Sequence, residues 1–355
     1  MKHSLLSLLL LLLLLLTTLP FISGGHWCYY QSQDECEEHC DGPSKWHIVY
    51  ANCGGKKQSP INIVSRKTES DPTLKPFTFE GYDRAQDVLV KNNGHSVQTA
   101  LPPGMRIMGA GLTDVYKAVQ FHLHWGSDGE AGSEHTIDGE RYPMELHIVH
   151  IKEKYQGVDE AINDTEGFAV LGFLFEESSE DNPNYKDLIA ALGRISYCGF
   201  NTTIKDLRLD SLIPKQKDLA RYYRYEGSLT TPGCNEAVVW TLFEKPIPLS
   251  AAQLAAFSQK LFVDAGKPMN RTFRPVQQTH GRTVYRSRSS SLLASTAVLS
   301  LSIMSTLGLW SIQFLDFDQV GPTVLNPVLG FCCSCSLTDP CFETSCRGQQ
   351  LPPHH

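Results

Sequence analysis

The chain has 355 residues, room for one large or two medium domains, and its 31 Lys and Arg against 38 Asp and Glu leave a net charge of −7. That mildly acidic balance excludes a nucleic-acid binder that relies on a basic face. With 41% hydrophobic and 19% charged residues, disorder along the whole chain is excluded as well.

The N-terminus carries Lys2, a Leu-dominated run from Leu5 to Leu16, and small residues at Ser23, Gly24 and Gly25. A charged start, an apolar stretch and a small-residue exit describe a secretory signal peptide over residues 1–25, with cleavage before His26. The mature chain is then expected in the secretory pathway, where disulfides form. Three glycosylation sequons, starting at Asn163, Asn201 and Asn270, agree with that address. Of the 11 cysteines, six lie between Cys28 and Cys234 and five crowd into Cys332–Cys346.

Residues 26–285 contain no visible repeat and no Gly/Ser linker, and are expected to form a single domain. Strand patterns dominate. Ala118–Gly126 alternates, with Val119, Phe121, Leu123 and Trp125 on one face and Gln120, His122 and His124 on the other. Met144–Ile151 alternates likewise, with Glu145, His147 and Val149 opposite Leu146, Ile148 and His150. Phe168–Phe175 and Ala237–Phe243 are continuous apolar runs suited to central strands, and Asn184–Leu192 and Ala251–Leu261 are the best helical stretches. The expected fold class is mainly β, a large twisted sheet with short peripheral helices.

Residues 286–315 begin with small and basic residues and continue into an uncharged apolar stretch, Leu292–Leu315, long enough to span a bilayer. This pattern favours a glycolipid-attachment signal with Ser287, Ser289 or Ser290 as the attachment residue. The rival is a transmembrane helix, which positive-inside logic opposes because Arg282, Arg286 and Arg288 lie on the flank expected outside. The Cys-containing tail, residues 316–355, is expected to be disordered or removed.

The chemistry concentrates in Phe121-His122-Leu123-His124-Trp125. Residues i and i+2 of a strand point the same way, so His122 and His124 sit side by side. Zinc takes neutral imidazole nitrogen, and a catalytic site uses three protein ligands with one position left for water. His147 on the next strand is the expected third ligand. A ligating imidazole needs a partner for its other nitrogen, and Gln120 and Glu145 each stand two residues before a histidine on the same face. His135 and His150 are read as structural.

These segments, with Gly132-Ser133-Glu134-His135, Ser228-Leu229-Thr230-Thr231-Pro232, Gln58-Ser59-Pro60-Ile61-Asn62-Ile63 and Asn92-Asn93-Gly94-His95, resemble the alpha-class carbonic anhydrases. The resemblance covers His26–Tyr285, and is greatest to the extracellular, glycolipid-anchored vertebrate subgroup. It implies a largely antiparallel central sheet and a Zn2+ ion on His122, His124 and His147. It implies that the reaction is reversible hydration of carbon dioxide to bicarbonate and a proton. Thr230 would accept a hydrogen bond from the attacking hydroxide and donate its own hydrogen to Glu134. Thr231 would join it at the substrate, and Val149, Val170, Leu229, Val238 and Trp240 would form an apolar wall for carbon dioxide. His95 would shuttle the proton to buffer, with Asn93 and Tyr29 ordering the connecting waters.

The resemblance also pairs Cys53 with Cys234, and Cys28 with Cys40 in preference to Cys36, leaving Cys36 and Cys198 over. Thr272 stands where the family often has Asn, in a position that supports His124 through its backbone carbonyl. Two alternatives remain: an inactive carbonic anhydrase-like binding module, and esterase activity as the main role. Association with a bicarbonate transporter is left open.

Overall fold

The computed structural model describes residues 26–29, 40–264 and 266–287. Nine segments with strong β patterning are β1 (Gln86–Asn92), β2 (Val97–Ala100), β3 (Tyr116–Trp125), β4 (Met144–Lys152), β5 (Phe168–Ser178), β6 (Asn201–Leu207), β7 (Tyr222–Gly227), β8 (Val238–Ser250) and β9 (Tyr285–Ser287). All belong to a twelve-stranded sheet in the order β6-β1-β2-β3-β4-β5-β8-β7-β9, with Glu69–Asp71 beyond β9. The β5–β8 pair and the pair between β9 and Glu69–Asp71 are parallel; the other joins along this path are antiparallel. The expected sheet, mostly antiparallel and fringed by short helices, is the one observed.

The sheet is covered on both faces, which is why β4 is buried along its whole length despite its alternating sequence. On one face Phe121, Leu123, Leu146, Ile148, Leu171 and Phe173 join a large core. Two helices cap it: α1 (Lys186–Leu192) contributes Leu188 and Leu192, and α2 (Ala251–Lys260) contributes Phe257. Each such large side chain, fully buried, contributes roughly 1.5–3 kcal/mol. The start of α2 is set by Ser250, whose hydroxyl accepts from the Gln253 N–H while the Gln253 side chain reaches back to the Ser250 N–H. The other face holds a second core with Val149, Val170, Val238 and Trp240.

The alternation expected for Ala118–Gly126 fails at one residue. β4 pairs Val149 with Gln120 and then His150 with Ala118, so Val119 is an extra residue in a β-bulge. The bulge turns Val119 away from Phe121 and Leu123 and packs it against the second core.

Gly172 of β5 lies opposite His147 in the register. A Cβ there would stand 2.7 Å from Leu242 Cδ1 and 3.3 Å from Glu145 Oε1. Glycine thus leaves the Glu145 carboxylate room beneath the histidines.

Ser287 is part of β9 and buried, accepting from the Tyr222 N–H and donating to the Ala220 carbonyl. Of the other attachment candidates, Ser289 and Ser290 lie outside the described residues, as do the signal-like segment, Leu292–Leu315, the tail and Cys36. Among the described residues no helix is long and apolar enough to cross a membrane. Asn163 and Asn201 are exposed, whereas Asn270 is half-buried and the Thr272 of its sequon is buried against Trp125.

Candidate metal centre

Antiparallel pairing of β3 and β4 sets His147 opposite His122 and Glu145 opposite His124. The three imidazoles converge as their spacing predicts. His147 Nδ1 lies 3.1 Å from His124 Nε2 and 3.3 Å from His122 Nε2. Each outward nitrogen meets an acceptor: His122 Nδ1 is 2.9 Å from Gln120 Oε1, His124 Nδ1 is 2.6 Å from the Thr272 carbonyl, and His147 Nε2 is 2.6 Å from Glu145 Oε1. A carbonyl and a carboxylate only accept, so the ring hydrogens point outward and the lone pairs inward.

Electrostatics keep the rings ready to ligate. Burial, then the neighbouring imidazoles, push His122 well below the usual histidine range. Burial also lowers His124, partly offset by the Glu134 carboxylate. Glu145 is held well below the usual carboxylate range: burial opposes this, but His135 and His147 outweigh it.

The fit to zinc follows from the donor set. A tetrahedral zinc with bonds of about 2.0–2.1 Å requires ligand nitrogens about 3.3–3.4 Å apart. Two of the three inward separations, 3.1 and 3.3 Å, are close to that, and all three nitrogens lie within 4.8 Å of one another. Beside them stands Glu134, completely buried: Oε1 accepts from the Arg274 N–H at 2.8 Å. Its Oε2 has no hydrogen-bond partner and lies 3.5 Å from His124 Nε2. An orphaned buried oxygen beside two of the inward imidazole nitrogens, 3.5 Å from His124 Nε2 and 3.9 Å from His147 Nδ1, marks a centre built to receive a cation and a donor hydroxyl.

The remaining expected residues are distributed around this centre. Thr230 is buried in the segment after β7, but the hydrogen bond to Glu134 implied by the resemblance is not formed in this structure, because Glu134 Oε2 is unpartnered. Thr231 accepts from the Cys234 N–H through its carbonyl, closing the turn that follows. Val149, Val170, Val238 and Trp240 are buried together, with Leu229 packed against them, so the expected apolar wall is contiguous, and Val119 is added to it.

His95 is half-buried on a turn in which Asn93 Oδ1 accepts from the N–H groups of His95 and Ser96 at 2.9 and 2.7 Å. Asn93 therefore acts on the His95 backbone. Tyr29 is buried beside Trp27 and Trp46, and burial, reinforced by Glu134, pushes its hydroxyl well above the usual range.

His135 and His150, read from the sequence as structural, are both buried and hydrogen-bonded, and His135 stands with Glu145 and His147 in a second cluster of potential ligands. His135 Nδ1 lies 2.7 Å from Glu145 Oε1 and its Nε2 2.6 Å from the Tyr225 hydroxyl. His150 sits between Tyr82 and the Ala169 carbonyl, and burial pushes it down to about 4. Disulfides join Cys28 to Cys40 and Cys53 to Cys234, the pairs implied by the resemblance, and Cys198 is free and exposed.

One residue that periodicity did not flag is Arg274. Its guanidinium donates to Gln58 Oε1 and to the Ser59 and Cys53 carbonyls, while its backbone N–H holds Glu134. A lone Arg before Pro275 carries no local signal of that role.

A tri-histidine centre on adjacent antiparallel strands, with an apolar wall on the same face, defines a zinc-enzyme centre on a mainly β fold. A family model described as eukaryotic-type carbonic anhydrase matches residues 41–288. The chain belongs to the eukaryotic-type carbonic anhydrase family. It is 41% identical over 286 residues to carbonic anhydrase 4 of Rattus norvegicus, covering 80% of this chain and 92% of the relative. It is 40% identical over 299 residues to carbonic anhydrase 15 of Mus musculus (81% and 91% covered), and 39% identical over 297 residues to carbonic anhydrase 12 of Homo sapiens (81% and 80% covered). Zinc-dependent hydration of carbon dioxide is the general reaction of the family, and His122, His124 and His147 form the group that accommodates the metal.

Proposed function

We propose that this protein hydrates carbon dioxide reversibly on the outer face of the plasma membrane, releasing bicarbonate and a proton. The observation that carries the catalytic reading is the convergence of three inward imidazole lone pairs beside the orphaned Glu134 Oε2. His122, His124 and His147 would hold zinc, which when bound would supply a Lewis acid able to bring the pKa of water toward neutrality.

The chain's own residues do the rest. With a nucleophile in the site, the Thr230 hydroxyl would turn to donate its hydrogen to the open Glu134 Oε2, which as a carboxylate can only accept, and the hydroxyl oxygen would be left to accept from the nucleophile. That polarity turns a nucleophile lone pair toward carbon dioxide. Val149, Val170, Leu229, Val238, Trp240 and Val119 hold the apolar substrate out of water. Thr231 lies next to Thr230 at the mouth of the same segment. His95, half-exposed, carries the released proton to buffer, a role for which imidazole is the usual side chain.

The cell-surface reading is supported by the signal-like N-terminus, the sequons, the two disulfides and the apolar stretch Leu292–Leu315. A glycolipid attached at Ser289 or Ser290 accounts for that stretch, and leaves Ser287 in β9. The test is to express the full chain in animal cells and assay carbon dioxide hydration on intact cells, before and after adding a phosphatidylinositol-specific phospholipase C. Zinc-dependent activity moving into the medium is the expected result. Activity that stays on the cells points to a transmembrane helix, and activity confined to lysates overturns the surface reading.

A further inference from the structure

We propose that Asn201 carries an N-linked glycan, and that this glycan covers the open edge of the sheet at β6 and the apolar side chains beside it, so that copies of the chain do not pair there. The inference rests on the reading of the chain as a secretory-pathway protein and goes beyond it by naming the sequon that is used and what its sugar shields.

β6 is the last strand on its side of the sheet: it pairs with β1, and no other strand among the described residues meets its outer edge. An open edge is a template for pairing with another chain, and proteins blunt it with charge, proline, bulges or a cover. In β6 a bulge does part of this, where the register shifts between Ile204 and Leu207 and Asp206 has a φ of 52°. The first half, Asn201–Ile204, pairs regularly and has no such interruption.

The surroundings of that half are exposed and in large part apolar. Asn201 and Thr203 stand opposite Lys91 and Leu89 of β1, and all four side chains are exposed on one face. Leu89 is thus the diagonal neighbour of Asn201, roughly 7–8 Å away in such a ladder. The chain enters β6 through a turn, in which Gly199, with a φ of 86°, lets the Phe200 N–H donate to the Tyr197 carbonyl at 3.1 Å. The turn sets the Tyr197 and Phe200 rings edge to face at 5.9 Å, and Tyr197 also stacks on Phe262 at 5.5 Å. Even so, Phe200 remains 54% exposed, Leu89 49% and Tyr197 43%. Large apolar side chains left at the surface beside an open strand mark a site that something covers.

The sequon supplies the cover. Asn201 follows Phe200 directly, and both Asn201 and Thr203 are exposed, whereas Asn270 is half-buried and its Thr272 hydroxyl accepts from the Trp125 N–H at 3.0 Å. In the modification the Asn201 Nδ2 bonds to the anomeric carbon of a lipid-linked oligosaccharide. The bond from that carbon to the diphosphate oxygen breaks, the lipid diphosphate leaves, and the amide gives up one proton. A pyranose ring is polar at its rim and presents C–H groups on its faces, so the first sugars can lie over Leu89 and Phe200 while the rest of the glycan stays in water. A bulky polar group at Asn201 also stands in the way of a second strand approaching that edge.

The test expresses the full chain in animal cells and analyses glycopeptides spanning Asn163, Asn201 and Asn270 by mass spectrometry. Sugar on Asn201 is the expected result. On gels, Asn201→Gln and Thr203→Ala are each expected to lose the mass of a single glycan, and Thr203→Ser, which keeps the sequon, to lose none. Self-association is read by co-precipitating two differently tagged copies after living cells are treated with a membrane-permeant amine cross-linker, for which Lys91 and Lys205 are exposed at this edge. Co-precipitation is expected to rise severalfold in Asn201→Gln and Thr203→Ala and to stay at the parent level in Thr203→Ser. It is expected to return to that level when Leu89→Lys is added to Asn201→Gln.

A bare Asn201 in a chain whose Asn163 carries sugar overturns the proposal and leaves the secretory reading standing. Three bare sequons overturn it as well, and retention of residues 1–25 in the same digest then removes the secretory reading itself. Sugar on Asn201 with unchanged co-precipitation in both glycan-free variants overturns the shielding role. If Asn201→Gln does not fold, an endoglycosidase applied to the folded parent removes the glycan instead, and unchanged association there overturns the shielding role equally.

Discussion

Glu145 Oε1 lies 2.6 Å from His147 Nε2, and this contact decides that His147 turns its Nδ1, and not its Nε2, toward His122 and His124. The same carboxylate receives His135 Nδ1 on Oε1 and the N–H groups of Glu134 and His135 on Oε2. One buried anion therefore sets the tautomer of a ligand and the backbone position of Glu134.

Glu145→Gln keeps the shape but places an amide donor among four donors. Zinc affinity is expected to fall roughly 10- to 100-fold, the usual effect of losing such a supporting partner. Competition with a chromophoric chelator measures it. Affinity equal to the parent would show that the carboxylate does not hold the ring.

His122→Ala removes one inward nitrogen, leaving two ligands where a catalytic zinc needs three. The purified variant is expected to contain less than stoichiometric zinc by elemental analysis and to lose carbon dioxide hydration. Full activity in zinc-free protein would end the metal reading.

The Cys53–Cys234 bridge closes a loop of sequence separation 181 and ties the segment after Thr230 to the N-terminal part of the domain. Replacing both by Ser is expected to cost about 2–5 kcal/mol of stability, because the unfolded chain regains the entropy of that loop. Urea unfolding gives the figure, and an unchanged midpoint would assign the bridge no stabilising role.

Acid sensitivity has an identifiable contributor in Asp164. Partial burial opposes its ionisation, but the Lys152 ammonium, the Glu166 N–H and the Tyr155 hydroxyl together bring its carboxyl down to about 2. A folded pKa below the unfolded value of about 3.9 adds stability at higher pH that is lost as pH falls from about 4 through about 2. Asp164→Asn is expected to lower stability at neutral pH and to flatten its decline between pH 4 and 2. Melting temperatures across that range check both effects.

Much of the centre was legible in the sequence because a strand has a period of two. His122 beside His124, Gln120 beside His122 and Glu145 beside His147 all follow from i,i+2 spacing, and the structure places each as expected. The same rule misplaced Val119, since one inserted residue in β3 reverses the face of everything before it.

By itself the sequence determined the β class, the faces of β3 and β4, the three converging histidines and two of their supporting partners, because those properties depend on neighbours along one strand or on adjacent strands. Only the tertiary structure decided the contacts made by distant segments. Glu134 is supported by an N–H 140 residues away and the His95 ring stacks on an indole from the start of the described domain, while the Thr272 carbonyl on His124, implied by the family resemblance, comes from 148 residues away. Local periodicity says which way a side chain points, but which backbone group it meets depends on how the chain returns to the sheet.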